Sequence, residues 1–235
     1  MKIIYPYIIF IFLCISSLQA QDNNLIIGLE GKYHLPIGSL SNRFNGGVGG
    51  TFYIGTQVSE KWTWAGKLEY YRLDDENRDK LFKKVEAEVD GKLTVFNIPL
   101  ENLSLDLTVI GLSAEAKYNI LRTDMFETDL NIGFGFFYWE SERSEYKDEV
   151  SIKDAQDQDV TIANIDVPNL FQKDWSGALN LGLDFNVKLI EPVWFNANVN
   201  YRLLITELWP TLALDLENVS GLQFINVGSG VRIKL

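Results

Sequence analysis

WSGALNLGLDFNVKL, residues 175–189, alternates almost without a break. Trp175, Leu179, Leu181, Leu183, Phe185, Val187 and Leu189 fall on one parity, and Ser176, Ala178, Asn180, Gly182, Asp184, Asn186 and Lys188 on the other. A period of two sends the two sets to opposite faces of a strand, where a helix would repeat its apolar positions every three or four residues. The stretch is also long enough to cross a bilayer as a tilted strand.

The same pattern extends in both directions. Glu191-Pro192 turns the chain into residues 193–203, where Val193, Phe195, Ala197, Val199, Tyr201 and Leu203 oppose Asn196, Asn198, Asn200 and Arg202. The last segment, from Leu222, sets Ile225, Val227, Val231, Ile233 and Leu235 against Asn226, Gly228, Gly230, Arg232 and Lys234. Towards the N-terminus, Leu130, Ile132, Phe134, Phe136 and Tyr138 oppose Asp129, Asn131, Gly133 and Gly135 in residues 126–139. Residues 107–121 place Ile110, Leu112, Ala114, Ala116, Tyr118 and Ile120 against Ser113, Glu115, Lys117 and Asn119. Three earlier segments (25–35, 47–58 and 62–72) carry Glu30, Lys32, His34, Thr51, Lys67 and Glu69 opposite Leu29, Tyr33, Phe52, Ile54, Trp64, Leu68 and Tyr70. The sequence thus predicts an all-β fold, an eight-stranded antiparallel up-and-down transmembrane β-barrel.

The connections alternate as well. Residues 59–61, 122–124 and 190–192 are tight; 36–46, 73–106, 140–174 and 206–221 are long. Short turns on one rim and long loops on the other match periplasmic turns and extracellular loops. Ahead of the strands, Lys2, the apolar run 3–18 and the Leu18-Gln19-Ala20 step predict a secretion signal over 1–20, with one barrel domain over 21–235. A membrane anchor is the competing reading of that run. Cys14 lies inside it without the small residue that precedes a lipoprotein cysteine, so the chain beyond residue 20 has no thiol chemistry. The formal charge of −11 argues against nucleic-acid binding, which needs clustered Lys and Arg.

Alternation does not say which face is inside, because a ligand-binding soluble barrel alternates too. Volume decides. An eight-stranded barrel has room inside only for its own side chains, which suits Gly, Asn, Ser and scattered charges, while the bulky face suits hydrocarbon. A charge at mid-bilayer on the lipid face would cost about 2–4 kcal/mol, and that face is nearly free of them. Trp62, Phe126 and Phe195 at the turn side, with Tyr70, Tyr138 and Trp175 at the loop side, fit two interfacial girdles.

These features, with the Leu35-Pro36-Ile37-Gly38 step and the terminal Gly230-Val231-Arg232-Ile233-Lys234-Leu235, resemble the small outer-membrane β-barrel proteins (OmpA-like, porin family) of Gram-negative bacteria. The resemblance covers essentially the whole chain after residue 20. It implies location in the cell outer membrane, lipid as the surrounding partner and delivery by the barrel-insertion machinery. Many such barrels end in Phe, where this chain has Leu235.

The candidate site is the polar face: Glu30, Lys32, Lys67, Glu69, Glu115, Lys117, Asp129, Asp184, Lys188, Arg202, Arg232 and Lys234. Charges facing a bore must find partners, so an ion-pair network that fills it is one expectation. A narrow solute pore is the other, biased towards anions by Lys188, Arg202, Arg232 and Lys234. His34, the sole histidine, is the one candidate for catalysis on lipid, without a motif around it. No cofactor is implied. Acids outnumber bases ten to four over 140–174 and eight to five over 73–104, which makes the loops an acidic surface for an extracellular partner. Residues 154–159 (DAQDQD) offer oxygen ligands for calcium without the spacing of a calcium loop; a solvated acidic loop is the alternative. Residues 85–95, around Asp90-Gly91, predict a hairpin above the membrane or, as the alternative, two further spanning strands for ten in all. Leu208, Trp209, Leu212, Leu214 and Leu216 make 206–221 an apolar loop suited to a contact or to packing on the rim. The function this supports is a non-enzymatic outer-membrane barrel serving envelope integrity or partner binding.

Overall fold

The computed structural model describes residues 25–89, 92–153, 157–210 and 218–235. The expected signal, Asp90-Gly91, Asp154 to Gln156, and Leu212, Leu214 and Leu216 lie outside the described residues. The strands are β1 (Leu25–Ile37), β2 (Phe44–Gln57), β3 (Trp62–Glu76), β4 (Phe82–Val89), β5 (Lys92–Pro99), β6 (Leu105–Arg122), β7 (Phe126–Arg143), β8 (Tyr146–Lys153), β9 (Asp159–Val167), β10 (Leu170–Ile190), β11 (Val193–Leu208) and β12 (Val219–Lys234). Eight of them close a barrel in the order β1-β2-β3-β6-β7-β10-β11-β12, and β12 pairs back onto β1. Every neighbouring pair is antiparallel, and the wall closes on itself.

Following partners around the wall gives the stagger. Ile27 pairs with Ile54, then Gly66, Ala114, Phe134, Leu179, Leu203 and Gln223, which pairs back onto β1 at Ile37, a displacement of 10 residues. With a rise of about 3.3 Å and strands about 4.8 Å apart, that stagger tilts the strands by about 40°. At that tilt the 21 residues of β10 climb roughly 50 Å, about twice the apolar band of an outer-membrane barrel. The wall therefore continues well above the membrane. Much of what the sequence assigns to long loops is strand: β6 begins at Leu105, β7 runs to Arg143 and β10 starts at Leu170.

The side-chain pattern inverts along this height. In the lower part Leu112, Ile132, Phe134, Phe136 and Leu181 point outward and are exposed, and the interior is polar. Higher up, the outward face carries Arg72, Asp74, Asp106, Thr108, Glu140 and Glu142, while Leu73, Leu105, Leu107, Val109, Phe137, Trp139, Leu204, Leu222 and Phe224 are buried inside. Adjacent apolar pairs mark the crossover on five strands: Tyr70-Tyr71, Val109-Ile110, Phe136-Phe137, Leu203-Leu204 and Phe224-Ile225. In each, one residue faces lipid and its neighbour opens the upper core. The expectation of a bore lined only by small and polar groups is corrected here: it holds for the membrane zone and fails above it.

Two hairpins stand on the upper rim, β4–β5 and β8–β9, each a sheet of its own. The first is the hairpin expected above the membrane, and it adds no spanning strands. The second lies within the long acidic connection expected over 140–174, much of which is therefore strand. Their apolar faces (Val85 and Phe96, Val150, Ile162 and Ala163) pack on the core that Ile98, Tyr146, Ile165 and Val167 share with the barrel. Burial of these side chains, and not turn chemistry alone, fixes both hairpins to the barrel top.

Candidate functional site: the filled bore

At the periplasmic end, Glu127 gathers three cations. It pairs with Arg232, accepts from Lys234 Nζ at 2.6 Å and lies 3.0 Å from Arg122 Nε. Arg232 and Lys234 also lie over the ring of Trp194, at 5.3 and 4.4 Å from its centroid. One step higher, Asp129 accepts from Asn119 Nδ2 at 2.7 Å and Asn186 Nδ2 at 3.1 Å, with Arg232 3.7 Å away. Asparagines continue the chain of donors: Asn196 donates to Asn186 at 2.7 Å and Asn198 to Asn196 at 3.0 Å.

The middle of the bore is ionic. Lys117 pairs with Asp184 at 2.5 Å, and Asn131 donates to the other oxygen of Asp184 at 2.9 Å. Lys67 pairs with Glu115 at 2.6 Å, and Lys32 sits 3.2 Å from Glu30 and 3.7 Å from Glu69. Glu69 is the hub above them. It accepts from Arg202 Nη2 at 2.6 Å, Ser113 Oγ at 3.0 Å and Thr51 Oγ1 at 3.4 Å, and Arg202 Nε donates onward to Asn180 at 2.7 Å. Tyr53 fills the space beside the lysines, with Lys117 Nζ 4.9 Å above its ring. It fits because Gly28 lies beneath: a Cβ there would stand 2.2 Å from the Tyr53 ring.

His34 closes this zone from above. Its Nδ1 donates to Asn226 Oδ1 at 2.7 Å, Asn226 donates to Asn200 at 2.7 Å, and the imidazole stacks on Tyr71 at 4.0 Å. The ring is 1% exposed inside the wall. The arrangement withholds it from lipid on either face, which argues against the catalytic role considered from sequence. Arg202 lies 4.7 Å from the Phe137 ring, where the ionic zone meets the apolar one. Gly111 admits that ring, since a Cβ on it would come within 2.1 Å. In the upper zone Arg43 donates to Trp209 O and Arg143 to Pro168 O, each at 2.8 Å. Burial, with Arg143 nearby, lowers the Arg43 pKa to about 10.

Eleven of the twelve residues read from the polar face thus meet an opposite charge inside the bore. Lys188 does not: it lies at the periplasmic rim, paired with Glu191 of the turn. The four cations expected to bias a pore towards anions are each matched, Arg202 by Glu69, Arg232 and Lys234 by Glu127, and Lys188 by Glu191. Sequence reasoning passed over Glu127, although its parity against Phe126 and its closeness to Arg122 point it inward. It also left out the asparagines as members of the network, and Tyr53, Tyr71 and Trp194, whose rings fill the volume between charges. Asp157, from the acidic run weighed for calcium, is paired with Lys153 at 3.1 Å. No group of three or more His, Cys, Asp or Glu suited to a metal occurs among the described residues.

A closed eight-stranded barrel with a lipid-facing apolar band, an aromatic rim at each end and a polar bore packed with side chains is an outer-membrane β-barrel protein of the Gram-negative type. No family model and no curated protein matches the chain. Among solved structures it is similar to Neisserial surface protein A, at 13% identity and a TM-score of 0.46, over 90% of this chain and 97% of that one. It is similar to Ail, the attachment invasion locus protein of Yersinia pestis, at 12% identity and a TM-score of 0.41, over 89% and 97% of the two chains. The N-terminal β-barrel domain of Pseudomonas aeruginosa OprF is similar at 14% identity and a TM-score of 0.39, over 91% and 100%. Each is a distant likeness in chain course. The outer-membrane placement stands on this chain's own strand pairing and outward apolar band.

Proposed function

We propose that this is a non-enzymatic outer-membrane barrel whose bore is a structural plug and whose working surface is the acidic, hairpin-bearing top. One observation carries the reading: the bore is filled twice over, by paired charges and asparagines in the membrane zone and by an apolar core above it. A hydrated path would have to displace Arg202 from Glu69 and then part Phe137, Trp139, Leu204 and Phe224, all of them buried. That double filling favours a plug over a narrow solute pore. It frees the protein's contribution to lie in bracing the envelope and in holding the two hairpins at a fixed height for an extracellular partner.

Planar-bilayer recording of the purified chain tests the plug: no unitary steps are expected, and stable steps of constant size would overturn it. The display reading predicts a basic partner or surface, since Glu86, Glu88, Asp148, Glu149 and Asp166 crown the hairpins. Adherence of expressing cells to a polylysine-coated surface, compared with cells carrying Gln and Asn at these five positions, is expected to fall with the substitutions; equal adherence would remove the charge from the argument. A lipid A profile unchanged by His34→Ala is expected of a barrel without lipid chemistry.

A further inference from the structure

The wall is not uniformly knitted. β10 and β11 pair from Ile190↔Val193 upward only as far as Gly177↔Ile205. Above that level β10 stays with β7 up to Leu170↔Arg143, and β11 stays with β12 up to Leu208↔Val219. The parting comes where β11 shifts register between Leu204 and Glu207, opposite Gly221 at φ 73°. Residues 170–176 of β10 and 206–208 of β11 therefore face each other without register partners. Side chains stand in for the missing ladder. The Trp175 N–H donates to Asp174 Oδ1 at 2.7 Å. Gln172 spans the gap, donating to Glu207 O at 2.8 Å and accepting from Trp209 N at 3.1 Å.

The result is a cleft of about 1030 Å³ between the two strands, walled by Trp175, Phe171, Leu203, Ile205 and Trp209. Its apolar side chains are well exposed, Ile205 at 60% and Trp175 at 67%. Height fixes what reaches it. Trp175 pairs with Tyr138 of the outer aromatic rim, their rings 5.4 Å apart, and Leu203 and Leu179 below continue into the lipid-facing band. So the lower mouth opens into the outer leaflet and the upper end into the headgroup layer. The polar groups along it (Lys173, Asp174, Glu207, Gln172 and the open backbone edges) mix donors and acceptors without a net positive charge, which disfavours a phosphate and suits an amide or hydroxyl.

We propose that this seam is a docking slot for one acyl chain of an outer-leaflet lipid, entered sideways from the membrane, with the amide or hydroxyl at the head of that chain seated on the open strand edges. The apolar walls hold the methylenes and the parted strands supply the hydrogen-bonding ends, as neither an intact sheet nor a bare apolar groove would.

The full chain, carrying Trp62→Phe and Trp64→Phe to silence the opposite rim, is placed in phosphatidylcholine vesicles. These are doped either with an N-acyl glucosamine lipid brominated near its amide or with a phosphatidylcholine brominated at the same depth. Saturable quenching of tryptophan fluorescence by the N-acyl lipid is expected, with affinity reduced about tenfold or more by Ile205→Lys. Quenching that rises in proportion to mole fraction and equally for both lipids would overturn the slot. Heat-modifiable gel migration reports whether Ile205→Lys folds. Where it does not, a photo-reactive benzoylphenylalanine in place of Trp209 decides alone: a lipid-mass adduct on the intact protein supports the proposal, and a peptide adduct or none refutes it.

Discussion

Glu69 shows what a single carboxylate does inside such a wall. It sits on β3 opposite Thr51 of β2 and Gly111 of β6, and holds Arg202 from the far side of the bore. A buried charge stripped of its partner is far worse than one never placed there, because the orphan keeps its desolvation penalty. Glu69→Gln is therefore expected to lower unfolding stability by about 3–5 kcal/mol, measured by urea titration in lipid vesicles. Glu191→Gln removes an ion pair in the solvated turn and is expected to leave the midpoint unchanged. Size is constrained as tightly as charge. Gly111→Ala drives a Cβ into the Phe137 ring, and overpacking of this kind destabilises by about 1–3 kcal/mol. Pairing it with Phe137→Leu is expected to restore part of the loss in the same titration; an additive double variant would mean the ring is not what the glycine accommodates. Parity in the sequence already put Glu69, Lys67 and Arg202 on one face, and the limited volume of an eight-stranded bore turned that face inward. It could not say which charge meets which, because partners such as Lys117 and Asp184 lie 67 positions apart and are joined only by the stagger of the closed wall. Glu127 lies on the same parity as Asp129, so its face was legible; what the sequence does not show at this strand end is that Arg122, Arg232 and Lys234 converge on it.

At the scale of elements, the eight spanning strands were legible because lipid on one side and a crowded bore on the other enforce a strict period of two. The hairpins obey a weaker rule. Around β4 and β5 the alternating Val-Glu-Ala-Glu-Val run declared strands on either side of a turn; around β8 and β9 the acids of 148–159 masked them, since few apolar positions carry the signal. What holds both hairpins is the packing of Val85, Phe96, Val150, Ile162 and Ala163 on the core shared with the barrel, a tertiary fact that propensity does not announce. Detaching one should then expose it. In intact vesicles trypsin is expected to spare Lys83 and Lys84 of β4 in the parent chain and to cut there in a Phe96→Asp variant, read by mass spectrometry of the released peptides. Equal cutting of parent and variant would show that the β4–β5 hairpin is not seated on the barrel through Phe96.

For the whole molecule, one tube serves two solvents. Below the crossover the surroundings are hydrocarbon and the interior must be polar, because the bulky side chains are needed outside; above it the surroundings are water, and the interior reverts to the apolar packing of a soluble barrel. The adjacent apolar pairs in the sequence record where each strand changes solvent, information present in the chain but invisible to a reading that looks for one uninterrupted parity. The inversion makes the penalty for a charge depend on height and face together. Along the outward parity of β6, Leu112→Arg is expected to cost about 2–4 kcal/mol and Ile110→Arg less, with Thr108→Arg near zero. On the inward parity the order turns over. Leu107→Asn, inside the upper core, removes apolar contacts and buries an amide without a partner, at about 2–5 kcal/mol, whereas Ser113→Asn falls among groups already hydrogen-bonded and is expected to be milder. Urea unfolding of these five variants in vesicles reads both gradients. A flat profile along either parity would mean that the wall meets a single solvent from end to end, and the two-zone barrel would have to be abandoned.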